Sequence, residues 1–566
     1  MTYRLRDIIW PAKPQPAQSR KIAHNRLRFG MVAVALCLVT ISSKAMYLST
    51  SPDLRSHHAT AQKGTVQRGA IIDRTGKRLA TSVPVRVLHA DPKLILDPFE
   101  TAAKLAPLLP RWSEERLLQK FGTKTRYIEL ERRLTPQKYK QILNLGLPGI
   151  AVKSTTTRLY PHGHEAAHIL GALDVDGKGI AGLEKQFDSH LASGNDLHLA
   201  LDMGVQGVLR QEILNQIDKF EAIGGAGVMI DIKTGEVIAL TSLPDFNPNH
   251  FGRSDEDARF NKVTKGVYEM GSIFKVLNTA IALESGAVRF EEEFEVSKPI
   301  SISRFKIRDY HPHNRPLSVS EILVYSSNIG SARMADAMGI ETQRAYMQRL
   351  GLLDRLSLEL PEVSRPLVPS RWERIASMTI SYGHGLSVTP LSAASAIAAA
   401  AGDGIYRTPT LLKQRPAAER IETRIFSEDT AKAIRSMMRL VVSHDDGTGN
   451  FAEAAGYLVG GKTGTAEKIK GKGYDKKANM VSFVAGFPSH DPAYLILVMV
   501  DEPKGQKFSY GYATAGWVAA PIVRRVVEKV APKLGILPVD NEADEVKQNL
   551  IQDIKIGEEE KRHAAL

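Results

Sequence analysis

Tyr268-Glu269-Met270-Gly271-Ser272-Ile273-Phe274-Lys275 places a serine and a lysine three positions apart at what reads as the start of a helix. Positions i and i+3 share a helix face, so the Lys275 amine can reach the Ser272 hydroxyl. A serine hydroxyl is a weak nucleophile at neutral pH until a neighbouring base takes its proton. Lysine serves as that base only when burial or a second cation holds it neutral. The pair therefore makes a demand on the rest of the chain. Taken alone, Ser-x-x-Lys also fits an ordinary solvated helix turn.

Two later stretches meet the demand. Tyr325-Ser326-Ser327-Asn328 offers a second hydroxyl and an amide, and Gly460-Gly461-Lys462-Thr463-Gly464-Thr465 offers a second lysine within a strand of small residues. The order is Ser-x-x-Lys, Ser-x-Asn, Lys-Thr-Gly, with steps of 54 residues (272 to 326) and 136 residues (326 to 462). In these three motifs the chain resembles the penicillin-binding, serine-active transpeptidases and the serine β-lactamases. Acyl transfer from an amide needs a nucleophile, a base, an acid for the departing amine and a site for the oxyanion. The resemblance implies Ser272 as nucleophile and Lys275 as base, kept neutral in part by the charge of Lys462, with the division of proton steps between the two lysines left open. It implies that Ser326 relays a proton to the leaving nitrogen and that Asn328 holds the substrate's peptide amide. Thr463-Gly464-Thr465 would line the substrate, with hydroxyls of Thr463 and Thr465 and the charge of Lys462 meeting a carboxylate. The backbone N–H groups of Ser272 and Thr465 would form the oxyanion hole. Acylation followed by attack of a second amine implies ping-pong kinetics, with no cofactor and no metal.

With 566 residues and 43% hydrophobic content, the chain is long enough for two or three packed domains. Its net charge of +13 could point to nucleic acid or to an anionic surface. Seven basic residues precede position 29 (Arg4, Arg6, Lys13, Arg20, Lys21, Arg26, Arg28) against one acid, Asp7. That cluster adjoins an apolar run rather than an aromatic-rich face, so it reads as membrane topology and not as nucleic-acid binding. The run covers residues 29–43 and, with Lys44 tolerated, continues to Leu48. About 20 residues at 1.5 Å each span roughly 30 Å, the hydrocarbon thickness of a bilayer. Lys44 can snorkel to the headgroups beside Tyr47. A cleaved signal peptide is the rival reading, but the basic region is long and no clear A-x-A site follows, which favours a retained anchor. The only cysteine, Cys37, lies inside this run, so an intrachain disulfide and a cysteine nucleophile in the exported part are both excluded.

Beyond a polar linker, Arg68-Gly69-Ala70-Ile71-Ile72-Asp73-Arg74-Thr75-Gly76-Lys77-Arg78-Leu79-Ala80 reads as a strand, an Asp/Gly turn and a return strand. It closely resembles the opening of the class B penicillin-binding proteins, which lack a glycosyltransferase domain of their own. Arg158-Leu159-Tyr160-Pro161 with His168, Gly171, Asp174, Gly177, Gly179, Gly182 and Glu184 is similar to a second stretch of that class. Helical patterns over 98–109 and 114–120 suggest a smaller head between the two. In the family this region is a pedestal that supports the catalytic domain and contacts partners. His162, His164 and His168 sit close together, but only Glu165 could help complete a metal set, so a structural hydrogen bond for His168 is the better reading.

The next domain opens with Asp202 capping a helix whose apolar face runs Val205, Val208/Leu209, Ile213 and Ile217. Residues 227–232 and 236–240 flank a Lys233-Thr234-Gly235 turn as a hairpin, and 480–485 pairs with 494–500. A helical middle from 272 to about 440 lies between. The expected fold is α+β, an antiparallel sheet covered by helices, a penicillin-binding or serine β-lactamase-like transpeptidase domain on an elongated N-terminal pedestal with one transmembrane helix. The expected division is a cytoplasmic basic tail (1–28), a transmembrane helix (29–48), a pedestal of the dimerisation type (49–195), a transpeptidase domain (196–535) and a charged tail (536–566). Val546, Leu550 and Ile554 stand at helical spacing in that tail, which reads as loosely attached or disordered.

Ser326-Ser327-Asn328 and Gly461-Lys462-Thr463-Gly464-Thr465-Ala466 look like the septal, FtsI-type branch rather than the elongation branch. Met270 departs from the proline that usually precedes Gly-Ser. The lysine-rich stretch 468–477 reads as a solvated loop, with a basic substrate-facing hairpin as the alternative. The resemblance implies a donor peptidoglycan stem peptide ending in D-Ala-D-Ala, an acceptor amine on a neighbouring stem, β-lactams as acylating mimics of the donor, and a membrane-embedded glycan polymerase and other division proteins as partners. It also implies a single pass through the bacterial inner membrane, with the N-terminus cytoplasmic and the catalytic domain periplasmic at the septum. Three rivals remain at this stage. A carboxypeptidase or β-lactamase would pass the acyl group to water, and a non-catalytic scaffold would only recruit a polymerase.

Overall fold

A computed structural model describes residues 16–50, 67–302, 305–413, 422–470 and 473–557. The chain forms two units, residues 1–67 and 68–566. The first contains helix α1 (Pro16–Thr50), in which Asn25–Tyr47 is a 23-residue stretch of mean hydropathy 1.8 with no part buried by protein. It is long and apolar enough to cross a bilayer, and its apolar side chains face outward all round (Phe29, Val32, Leu36, Val39), as a lipid-covered helix requires. The Thr40 hydroxyl is satisfied within the helix by the Leu36 carbonyl at 2.9 Å.

The second unit begins with the strand-turn-strand expected of residues 68–80. Strand β1 (Ile71–Ile72) pairs antiparallel with β2 (Arg78–Ala90). The buried Asp73 carboxylate closes the turn by accepting from Thr75 N and Lys77 N, each at 2.8 Å, and also from Met203 N at 3.2 Å. β2 pairs with β3 (Ile128–Glu131) and, along most of its length, with β4 (Ile150–Leu159), while β5 (Leu197–His198) runs parallel to β1. Helices Pro98–Leu105 and Glu114–Phe121 pack on this sheet around Leu88, Leu105, Leu117 and Phe121, a small core of their own. Two arginines of the pedestal stretches meet one acid: Arg68 Nε and Arg158 Nε each lie 2.7 Å from the fully buried Glu184 carboxylate. Arg158 also donates to Gly69 O at 2.7 Å. The motif residues that carried no chemistry are thus a buried ion cluster holding the pedestal together.

The layer that carries Lys462 is a five-stranded antiparallel sheet. Its strands are β6 (Gly224–Asp231), β7 (Val237–Leu243), β8 (Gly460–Lys470), β9 (Gly473–Phe487) and β10 (Tyr494–Asp501), in the order β8-β9-β10-β6-β7. Helices α2 (Met203–Lys219), α3 (Phe274–Glu284), α4 (Asn328–Met338), α5 (Pro390–Ala401), α6 (Glu428–Ser443) and α7 (Ala520–Val530) surround it. The period-2 pattern of β10 divides between two cores. Leu495, Leu497 and Met499 join the side of α3, α5 and α6, whereas Ile496, Val498 and Val500 join Leu209, Ile213, Val523 and Val527 of α2 and α7. Glycines allow the close approach on the second side: a Cβ at Gly225 or Gly227 would lie 2.7 Å from Ile213 carbons of α2. Asp202 caps α2 as its sequence suggests, accepting from Gly204 N at 2.7 Å.

Two expectations need correction. The lysine-rich stretch is no open loop, because the β8–β9 ladder continues out to Lys470 opposite Gly473, and Lys468 is drawn back by Asp501 at 2.5 Å and Glu502 at 2.8 Å. Nor is the C-terminal segment loosely attached. Val546 of helix Asp544–Asn549 and Leu550 just after it are buried with Leu458, and Ile551, Ile554 and Ile556 pack on the main core of the second unit. Ile551 N donates to Ser436 Oγ at 2.8 Å and Gly557 N to Glu321 Oε1 at 2.9 Å. Its charge masked a run of apolar residues that finds cover on α6; residues 558–566 lie outside the described part.

Candidate active site

Ser272 sits on a 3-10 turn, Gly271–Ile273, that leads directly into α3. Gly271 has φ +58°, and a Cβ there would lie 2.7 Å from the Thr465 carbonyl oxygen, so only glycine lets the turn press against β8. Met270, the departure from the usual proline, is buried in the core behind this turn. α3 is almost wholly buried, and it takes the whole Lys275 side chain into the interior. Lys275 Nζ lies 3.0 Å from Ser272 Oγ, 3.0 Å from Ser326 Oγ and 2.5 Å from Ser326 O. From the opposite side, Lys462 Nζ of β8 lies 3.0 Å from the same Ser326 Oγ and 3.1 Å from Thr463 Oγ1.

Three motifs separated by 54 and 136 residues in the chain therefore converge on one hydroxyl. Both lysine side chains are fully buried. Burial, then the charge of Lys462, pushes the Lys275 amine well below its ordinary value, while Asp309 pulls in the other direction. Burial alone pushes Lys462 down to about 7. A buried amine whose charge is disfavoured thus touches a serine hydroxyl, with a second buried amine on the far side of Ser326.

The remaining predicted residues fall nearby with different contacts. Asn328 heads α4 and donates through Nδ2 to Arg308 O at 3.0 Å. Gly464 is packed tightly, for a Cβ there would lie 2.4 Å from Ser482 Oγ and 2.9 Å from Ile273. Thr465 is exposed, with its backbone against Gly271. Two neighbours stand outside the predicted set. Thr448, in Gly447-Thr448-Gly449, shares a 2.8 Å hydrogen bond with Thr463 Oγ1. Asp309 accepts from Ser327 Oγ at 2.6 Å and from Ile329 N at 2.9 Å. The short Gly-Thr-Gly pattern could have signalled Thr448; Asp309, in a stretch of mixed polar residues, carried no signal. The histidines do not gather: His168 Nε2 donates to Ala258 O at 2.9 Å, and His164 faces Asp245 at 2.9 Å. Among the described residues no group of three His, Cys, Asp or Glu could hold a metal ion.

The family model described as the penicillin binding protein transpeptidase domain matches residues 225–528, and that of the penicillin-binding protein dimerisation domain matches 63–198. The chain is 35% identical over 549 residues to the probable peptidoglycan D,D-transpeptidase FtsI of Caulobacter vibrioides, covering 94% of this chain and 93% of the relative. It is 31% identical over 527 residues to the peptidoglycan D,D-transpeptidase FtsI of Escherichia coli, covering 86% of each. Among solved structures, penicillin binding protein 3 of Mycobacterium tuberculosis, complexed with aztreonam, superposes with a TM-score of 0.67 at 25% identity, covering 84% of this chain and 98% of that one. The convergent Ser272, Lys275, Ser326 and Lys462 therefore lie in a domain whose family is settled, and the chain belongs to the penicillin-binding protein transpeptidases that carry an N-terminal dimerisation domain.

Proposed function

We propose that this protein cross-links peptidoglycan as a serine D,D-transpeptidase of septal wall synthesis, with Ser272 as nucleophile. The observation that carries this reading is the pair of buried lysines meeting at Ser326 Oγ, one of them also touching Ser272 Oγ. Neutral Lys275 takes the Ser272 proton as Oγ bonds to the carbonyl carbon of the penultimate D-Ala of the donor stem. The negative oxygen that forms is met by the backbone N–H groups of Ser272 and Thr465. Collapse breaks the C–N bond, and the departing D-Ala nitrogen receives its proton from the Lys275–Ser326–Lys462 network. Attack by the acceptor amine on the ester then reverses these steps, forming a new amide and returning the proton to Ser272. Lys462, Thr463 and Thr465 hold the donor's terminal carboxylate during acylation, and Asn328 and Gly464 line its peptide. β-Lactams enter by the same attack and remain as esters.

The residues preceding position 29 are basic, and the apolar stretch of α1 is long enough to span a bilayer. This supports a single-pass anchor with a cytoplasmic N-terminus, a periplasmic catalytic domain, and assembly with a membrane-embedded glycan polymerase at the septum. The domain limits proposed above, pedestal to residue 195 and transpeptidase domain to 535, follow the same division of labour. The test is product analysis. The full-length protein in detergent, given nascent glycan strands bearing pentapeptide stems, yields cross-linked dimers that disappear in Ser272→Ala. Trimmed stems without dimers would instead identify a carboxypeptidase, and unchanged stems a scaffold.

A further inference from the structure

The Ser326-Ser327-Asn328 turn carries the hydroxyl on which both lysines converge, yet its own backbone is strained. Ser326 has φ +63°, a region that residues with a Cβ enter only when their surroundings force them. Outside the three motifs, one short stretch supplies that force. Asp309 Oδ2 accepts from Ser327 Oγ at 2.6 Å, and Ser327 Oγ in turn accepts from Gly330 N at 2.9 Å. Asp309 Oδ1 accepts from Ile329 N at 2.9 Å, and the carbonyl of the preceding Arg308 takes the Asn328 amide at 3.0 Å. A single carboxylate thus binds both the capping side chain and an open N–H at the first turn of α4, where the helix presents partial positive charge. Asp309 is itself held in place, because it follows the strand Phe305–Ile307, which pairs with Ile300–Ile302 and buries Ile307 in the catalytic core.

We propose that Asp309 is a positioning residue of the acylation step: through Ser327 Oγ and Ile329 N it fixes the strained turn that holds the Ser326 hydroxyl between Lys275 and Lys462. This rests on the reading of Ser272 as the acylated serine and Ser326 as the proton relay. Ser326 must lie within hydrogen-bond reach of both amines at once, and a shift of about 1 Å at such a relay can lower a rate by roughly a hundredfold.

The test is the second-order rate constant for acylation of the full-length protein by a fluorescent penicillin. It is measured across pH for wild type, Asp309→Ala, Asp309→Asn, Ser327→Ala and the double variant Asp309→Ala/Ser327→Ala, with a thermal melt of each. We expect Asp309→Ala to acylate at least roughly tenfold more slowly, the loss falling on the covalent step rather than on prior penicillin binding. The double variant loses less than the sum of the two single losses, since both changes remove the Ser327–Asp309 bond. Asp309→Asn keeps an acceptor for Ile329 N and recovers most of the rate. Its rising pH limb moves to lower pH, because the charge that favours protonated Lys275 is gone while Lys462 and the His384–Glu269 pair, the other titratable groups acting there, are unchanged. A change confined to folding would lower the melting temperature without moving that limb. Wild-type rates in Asp309→Ala, or a loss in Asp309→Asn as large as in Asp309→Ala, overturn the inference while leaving acylation at Ser272 intact. A wild type that forms no adduct on Ser272 overturns the inference and the reading beneath it together.

Discussion

Lys275 and Lys462 give up hydration without gaining a carboxylate partner at bonding distance in their described contacts, and their chemistry follows from that. Lys275 becomes a base as it loses its proton, so acylation should rise with pH through its depressed value and then fall as Lys462 loses its charge near 7 and releases the substrate carboxylate. Replacing Lys462 by Met should lower the rate and move the rising limb to higher pH, since a second cation no longer disfavours protonated Lys275; the pH dependence of penicillin acylation reads both effects. The same burial costs stability. The unfolded chain binds a proton at Lys462 up to about 10.5 whereas the folded chain releases it near 7, so stability rises with pH between those values and the penalty is complete below 7. Lys275→Met, in which we expect no acylation, should accordingly raise the melting temperature at neutral pH. The opposite result is expected at Glu184, where removal of the carboxylate leaves Arg68 and Arg158 buried without it. Glu184→Ala should destabilise the protein by about 3–5 kcal/mol in chemical denaturation, without any direct effect on the site.

Elements whose physics is local could be read from the chain. The Asp202 cap, the Lys233-Thr234-Gly235 hairpin and the alternating 494–500 strand all appear where their patterns place them, because a cap, a turn and a period of two are written within a few residues. The Ser272–Lys275 contact belongs to this class as well, being set by one helical turn. What could not be read depends on distant partners. Asp309 acquires its contacts from Ser327, 18 residues further on, and nothing in its own stretch announces them. The C-terminal stretch misled in the same way: its charges suggested solvent, but Val546, Leu550 and Ile554 meet an apolar surface supplied by other parts of the chain. That strap ties Ser436 on α6 to Glu321, whose helix (Val319–Val324) leads directly to Ser326. Ending the chain after residue 549 should lower the melting temperature and slow penicillin acylation together. Gly271→Ala should separate these quantities differently. Its Cβ would collide with Thr465 O, and we expect acylation to fall by about a hundredfold while circular dichroism reports an intact fold.

For the molecule as a whole, the catalytic sheet buries both faces. One core secures α2 and α7, and the other secures the helices that deliver Ser272, Lys275 and Ser326. The pedestal is joined to this body at Asp73, whose carboxylate both closes its own turn and accepts from the first residue of α2. Such a scaffold links the two lysines and two serines through hydrogen bonds of 3.0 Å, the fixed geometry that electrostatic preorganisation of acylation calls for. The most direct measurement is therefore to incubate the full-length protein with a fluorescent penicillin and locate the adduct by peptide mass mapping. A stable ester on Ser272, absent from Ser272→Ala, is the expected result; a folded wild-type protein that forms no adduct, or forms it on another residue, would contradict it.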